Sequence, residues 1–156
     1  MVSLAPFVSS SMDNVRRMIK LAGVGAGDVV YDLGSGDGRI VITAVRDFKA
    51  KRAVGIESHD DLVNKARIEI RRQNLEGRVE VMHGDALKVN VSEADVVTLY
   101  LTSRGNEMLR PKLEEELKSG ARVVSLDYKI PGWKPIKVDG PRYRKFQFRK
   151  IYLYQR

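Results

Sequence analysis

Three glycines at alternate positions, Gly34, Gly36 and Gly38, interleave with two carboxylates in the stretch Asp32-Leu33-Gly34-Ser35-Gly36-Asp37-Gly38. Losing three Cβ atoms so close together permits positive φ and lets a ligand approach the backbone. A loop of this kind can hold a phosphate or a cation, and its neighbours discriminate between them. The dinucleotide fingerprint requires a small third residue where Arg39 stands. The Lys-Ser/Thr pair of a phosphate-cradling P-loop is missing too. Asp32 and Asp37 would repel a pyrophosphate and favour a ligand that carries positive charge. The plain alternative is an ordinary tight turn between a strand and a helix.

Two further acids stand in comparable places. Glu57 closes the apolar run Ala53-Val54-Gly55-Ile56, and Asp85 follows the run at 79–82 within Gly84-Asp85-Ala86. A carboxylate at Glu57 can accept both hydroxyls of a ribose, and Asp85 is placed to accept from an adenine amino group. Each acid alone can be a strand-end cap. Three in register, at successive strand ends, describe a pocket for an adenosyl group bearing an ammonium and a sulfonium. S-adenosylmethionine has both. The expected cofactor contacts are Asp32, Gly34, Ser35, Gly36, Asp37, Gly38, Glu57, Ser58, Asp85 and Ala86, joined by Tyr100 at the methyl end.

These residues need strands behind them and helices between them. Residues 29–33 form a short β-branched run, the pattern of a parallel strand covered on both faces. Similar runs at 51–57, 79–82, 95–101 and 122–128 predict four more strands. Before the first, Val15, Met18, Ile19 and Ala22 share a helix face, with Ser11 or Asp13 as N-cap and Gly23 as C-cap. Helices are expected at 39–48, after an aspartate cap at 60 or 61, and at 106–118, where Pro111 should break the helix or start its second part. The order predicts an α/β three-layer sandwich on a mostly parallel sheet with right-handed crossovers. Runs at 136–138 and 146–154 predict two final strands, the last alternating as an antiparallel strand does. No linker interrupts the pattern, so one domain over 1–156 is expected.

Of the 156 residues, 43% are hydrophobic and 31% charged, which places the chain among globular rather than disordered sequences. There is no cysteine, and His59 and His83 are the only histidines, so neither disulfides nor a metal site is expected. No apolar run can span a bilayer and no signal-peptide pattern is present, so a cytoplasmic protein without membrane contact is expected. High charge, absent cysteine and few glutamines hint at a thermophile. The net charge of +8 is unevenly placed: residues 134–156 hold eight of the 28 basic residues and one of the 20 acids. Such a segment can attract RNA or an acidic partner, or simply keep an edge soluble.

Taken together, these motifs resemble those of the class I, seven-stranded S-adenosylmethionine-dependent methyltransferases over nearly the full chain. The resemblance implies strand order 3-2-1-4-5-7-6 with the seventh strand antiparallel. A closer resemblance is to the small archaeal protein-lysine methyltransferases of broad specificity. It rests on the glycine stretch through Arg39-Ile40, on Asn106-Glu107-Met108-Leu109-Arg110-Pro111-Lys112-Leu113-Glu114, and on Arg122-Val123-Val124-Ser125 followed by Gly132-Trp133. That family carries a Tyr-Val-Pro-Thr-Pro segment before its first helix, close to methyl transfer. Here Phe7-Val8-Ser9-Ser10-Ser11 stands instead, without the tyrosine hydroxyl and both prolines, while Ser10 keeps a hydroxyl at the Thr position.

The acceptor is expected at the end of the fourth strand, and Tyr100, Thr102 and Ser10 are the candidates for the methyl-transfer site. Tyr100 either faces the methyl group and stabilises a cationic nitrogen through its ring or is only core. Strand four does not end in Asn-Pro-Pro-Tyr or Asp-Pro-Pro-Tyr, which disfavours glutamine and adenine-N6 acceptors. Protein-lysine methylation by a monomer that takes lysine-bearing proteins is the leading expectation. RNA methylation through residues 134–156 and a non-catalytic cofactor-binding module are the alternatives.

Overall fold

The computed structural model describes residues 3–141 and 149–156. Its core is a seven-stranded sheet in the order β3-β2-β1-β4-β5-β7-β6. The strands are β1 (Val29–Leu33), β2 (Arg52–Glu57), β3 (Val79–His83), β4 (Val96–Leu99), β5 (Arg122–Leu126), β6 (Lys137–Asp139) and β7 (Ile151–Gln155). The first five pair in parallel, and β7 runs antiparallel to both β5 and β6. This is the expected order, and it puts the turns after β1, β2, β3 and β4 along one edge of the sheet.

Strand alternation divides the core into two faces. Val30, Ala53, Val81, Val96 and Val124 pack beneath α1 (Met12–Leu21), α2 (Arg39–Arg46) and α3 (Asp60–Arg72). Tyr31, Val54, Val97, Val123 and Tyr152 pack on the other side, with Leu109 and Leu113 of α4 (Ser103–Glu116). Helices therefore cover both faces, and the strands read as nearly continuous apolar runs for that reason.

Several boundaries differ from expectation, each for a local reason. The β4 strand stops at Leu99, so Tyr100 to Thr102 form the crossing to α4. The helix begins at Ser103 rather than 106, because Thr102 serves as N-cap and its Oγ1 accepts from Gly105 N at 3.0 Å. Pro111 lies inside this helix without ending it. The ladder bond it forfeits is offset by anchoring elsewhere. Asn106 is fully buried and its Nδ2 donates to Ser125 Oγ and to the carbonyls of Tyr128 and Lys129 at 3.1–3.2 Å. The α3 cap is His59, which makes no side-chain capping bond, while Asp60 and Asp61 fall in the first turn and favour the helix dipole from there. The β5 strand ends at Leu126 because Asp127 turns to a φ of 73°. In the last expected strand, residues 146–148 lie outside the described residues, as do Arg142, Arg144 and Lys145 of the basic segment.

Asn106→Ala should remove the Asn106 donor from the Lys129 carbonyl, while Tyr128 O keeps the Ser125 hydroxyl, and cost about 1–2 kcal/mol. Leu109→Ala in the same helix should cost about 3 kcal/mol through its cavity. Urea unfolding with an unchanged m-value checks both, and an N106A loss below about 0.5 kcal/mol would contradict the anchoring role.

Candidate functional site

The glycine turn is held open by its neighbour. Gly34 N and Ser35 N both donate to Ile56 O of β2, at 2.9 and 3.0 Å, which pins the start of the turn against the end of the second strand. Gly36 then adopts a φ of 55°, and its N–H donates to Glu57 Oε1 at 2.8 Å. A Cβ at Gly36 would overlap the ring of Phe7, which lies over the turn. Gly38 is the N-cap of α2, and a Cβ there would press on Ala66.

Glu57 is almost fully buried, and besides the long-range bond from Gly36 N its partners are local. Its Oε2 accepts from His59 N at 2.9 Å and lies 2.9 Å from His59 Nδ1. Burial pushes this carboxyl up, but the bonds from the His59 ring, His59 N and Gly36 N outweigh it, so its pKa lies below the usual value and the group stays ionised. Asp32 behaves in the opposite way. It is 2% exposed, and Thr98 Oγ1, its register partner on β4, donates to it at 2.8 Å. Burial pushes its carboxyl up to about 7; the Thr98 bond opposes this, and the charges of Glu57 and Asp37 add to it. Asp37 is held below the ordinary range by Arg39, whose guanidinium forks onto both carboxylate oxygens at 3.0 and 2.6 Å.

One cavity gathers these groups. Asp32, Gly34, Ser35, Gly36 and Asp37 form one wall, Glu57 and Ser58 a second, and Asp85 and Ala86 a third. Tyr100 and Leu101 bound it on the β4 side, and residues 3–10 lie across it, Ser10 included. Of the residues expected at the site, Gly38 and Thr102 lie outside the wall. Gly38 starts α2 behind the turn. Thr102 spends its hydroxyl on the α4 cap and on Leu4 O, 3.0 Å away.

The wall suits an adenosyl sulfonium. Four carboxylates against the single guanidinium of Arg39 favour a cationic ligand. Ser35 Oγ is buried without a hydrogen-bond partner among the described residues and packs against Gly55 of β2, where a Cβ would overlap it. Asp85 has committed Oδ1 to Leu87 N at 2.9 Å, which fixes its orientation.

An open sheet of this order, with a glycine turn after β1 and an acid closing β2, defines a class I S-adenosylmethionine-dependent methyltransferase. The chain belongs to the ANTKMT methyltransferase domain family, whose pattern matches residues 32–137. It is 48% identical over 133 residues to a protein-lysine N-methyltransferase of Saccharolobus islandicus, covering 85% of this chain and 83% of that one. It is 36% identical over 135 residues to the adenine nucleotide translocase lysine N-methyltransferase of Mus musculus, covering 86% of this chain but 58% of the mouse protein. Its fold is similar to a crystal structure described as an RNA methyltransferase of Salinibacter ruber with S-adenosyl-L-homocysteine. The TM-score there is 0.88, with 42% identity over 95% of this chain and 93% of that one.

Three participants escaped the sequence reading. Thr98 was legible in principle, as the lone hydroxyl in the apolar run Val96-Val97-Thr98-Leu99. His59 follows Glu57 at the spacing of a side-chain turn. Arg39 belongs to the family motif and departs from the dinucleotide fingerprint, but its link to Ser10, 29 positions away, carries no local signal.

Two outcomes follow from this geometry. Gly36→Val should weaken S-adenosylhomocysteine binding by at least about tenfold in calorimetry, a loss of ~1.4 kcal/mol, and unchanged affinity would contradict the site. Because the Asp32 pKa is raised on folding from 3.8 to about 7, its contribution to stability is fully present below about pH 3.8 and is lost progressively as pH rises to about 7. A cationic cofactor prefers the ionised form, so affinity should rise several-fold between about pH 6 and pH 8. In Asp32→Asn both dependences should vanish; calorimetry between about pH 6 and 8 and thermal unfolding between about pH 4 and 8 test them.

Proposed function

We propose that the protein transfers methyl groups to lysine ε-amines of protein substrates. The observation that carries this reading is the 48% identity, across most of both chains, to a protein named as a protein-lysine N-methyltransferase. The cofactor supplies an electrophilic methyl on a sulfonium. The protein's part is to bind, orient and keep water away.

Each role falls to a named group. Glu57, fixed by Gly36 N and His59, presents an ionised carboxylate for the ribose hydroxyls. Asp85 and Ala86 border the adenine side, and Ser58 flanks the ribose. Asp32 and the turn Gly34–Gly36 hold the amino-acid end of the cofactor. Tyr100 lies at the methyl end, with Phe7 and Leu101 as apolar neighbours. A lysine amine is nucleophilic only when neutral, and its ordinary pKa is about 10.4. Entry among Phe7, Tyr100 and Leu101 disfavours the cation and frees the lone pair. The Tyr100 ring then faces the ammonium product. Ser10 stays near the acceptor, whereas Thr102 acts from outside the cavity as a tether for Leu4.

RNA methylation is the second reading. It is favoured by the description of the Salinibacter ruber structure and by the basic residues at 134–156. The acids of the cavity serve the cofactor in either reading, so the choice rests on the identity to the protein-lysine N-methyltransferase. Residues 1–156 act in this reading as a single domain and a monomer, with the acceptor arriving from solvent. No helix among the described residues is long and apolar enough to cross a membrane.

Incubation with radiolabelled cofactor and a mixed lysate tests the choice. Label that survives nuclease, is lost to protease and is recovered as methyl-lysine is the expected result. Label lost to nuclease would overturn the lysine reading in favour of RNA.

A further inference from the structure

We propose that Arg39 is a positioning residue that ties the glycine turn to residues 3–10 and so sets where that segment lies over the cofactor cavity. This rests on the methyltransferase reading of the cavity. Arg39 uses Nε and Nη2 on the two oxygens of Asp37, at 3.0 and 2.6 Å. That leaves Nη1 to donate to Ser10 O at 2.6 Å. A guanidinium is planar and presents its donors in a fixed fork, so orienting one side orients the other. Asp37 belongs to the turn itself, next to Gly36. The position of the turn is thereby passed on to the backbone of residue 10.

The same segment has a second attachment. Thr102 Oγ1 donates to Leu4 O at 3.0 Å, and α4 approaches so closely that a Cβ at Gly105 would overlap that carbonyl. Residues 5–9 therefore bridge two tethers, one on the start of α2 and one on the start of α4. Between them Phe7 lies on Gly36, yet remains half exposed at 48%, with Val8 at 58%. Little burial holds the span itself, so its place depends on its ends. Ser10 also adjoins the α1 N-cap Ser11, so losing the Arg39 bond loosens the span from residue 10 back toward Phe7 rather than α1 itself. Lysine at 39 cannot substitute fully: one ammonium cannot span both Asp37 oxygens and the Ser10 carbonyl in the fork geometry.

The test compares wild type, Arg39→Gln and Arg39→Lys. Chymotryptic cleavage after Phe7, identified by mass, reports release of the segment without any acceptor. Arg39→Gln should be cut at least about tenfold faster than wild type, with Arg39→Lys between them. At saturating cofactor and lysine substrate, kcat of Arg39→Gln should fall by about 10–100-fold, a larger change than in S-adenosylhomocysteine affinity. If Arg39 acts through the segment, the kcat losses of Arg39→Gln and Phe7→Ala combine to less than their product. Cleavage at the wild-type rate would overturn the proposal, as would fully multiplicative kcat losses. Arg39→Lys decides by the same measurements if Arg39→Gln does not fold. Failure of the lysine reading looks different, because wild type would then label no lysine while the cleavage rates still reported the tether.

Discussion

The site depends on one hydrogen bond, from Gly36 N to Glu57 Oε1 at 2.8 Å. It joins the turn after β1 to the acid that ends β2. For the bond to form, Gly36 must take a φ of 55° and carry no side chain, and Glu57 must be ionised although nearly buried. His59 makes the second condition possible by placing its backbone N–H and ring beside the other oxygen. Net stabilisation from a bond to a charged group is about 1.5–3 kcal/mol. The larger effect is geometric: the bond locks the glycine turn to the acid end of β2 at the cavity.

Charge in the cavity is apportioned by environment. Asp37 is ionised and forked by Arg39, Glu57 is ionised and bonded on both oxygens, and Asp32 is pushed to about 7 by burial that Thr98 only partly offsets. Three carboxylates around one cavity, with only Arg39 among them, cannot all be cheaply ionised. The cofactor-free protein meets this by keeping Asp32 protonated over much of the pH range. A ligand with an ammonium and a sulfonium removes the need. The electrostatics thus favour a cationic ligand more specifically than the shape of the cavity does.

Much of this was legible in the sequence. Five apolar runs marked the parallel strands because strands covered on both faces cannot hide polar residues. Strand ends came out a residue or two long where backbone geometry intervened, as at Asp127. The glycine stretch, Glu57 and Asp85 marked the cavity side because they sit at strand ends, where an α/β sheet opens a crevice. Thr102 lies outside the cavity wall for a physical reason: a hydroxyl just before a helix is first an N-cap, and this one also holds Leu4 O. Links between distant segments were not legible. Arg39 to Ser10 and Thr98 to Asp32 join residues 29 and 66 apart, and only the packed sheet brings them together.

The central claim is that the turn, Glu57 and the segment over them form one cofactor site. A crystal structure with S-adenosyl-L-homocysteine tests it most directly. The account predicts ribose hydroxyls on Glu57, the adenine beside Asp85 and Ala86, and the sulfur directed toward Tyr100 beneath residues 5–9. Ribose bound away from Glu57, or the ligand seated outside this cavity, would contradict it.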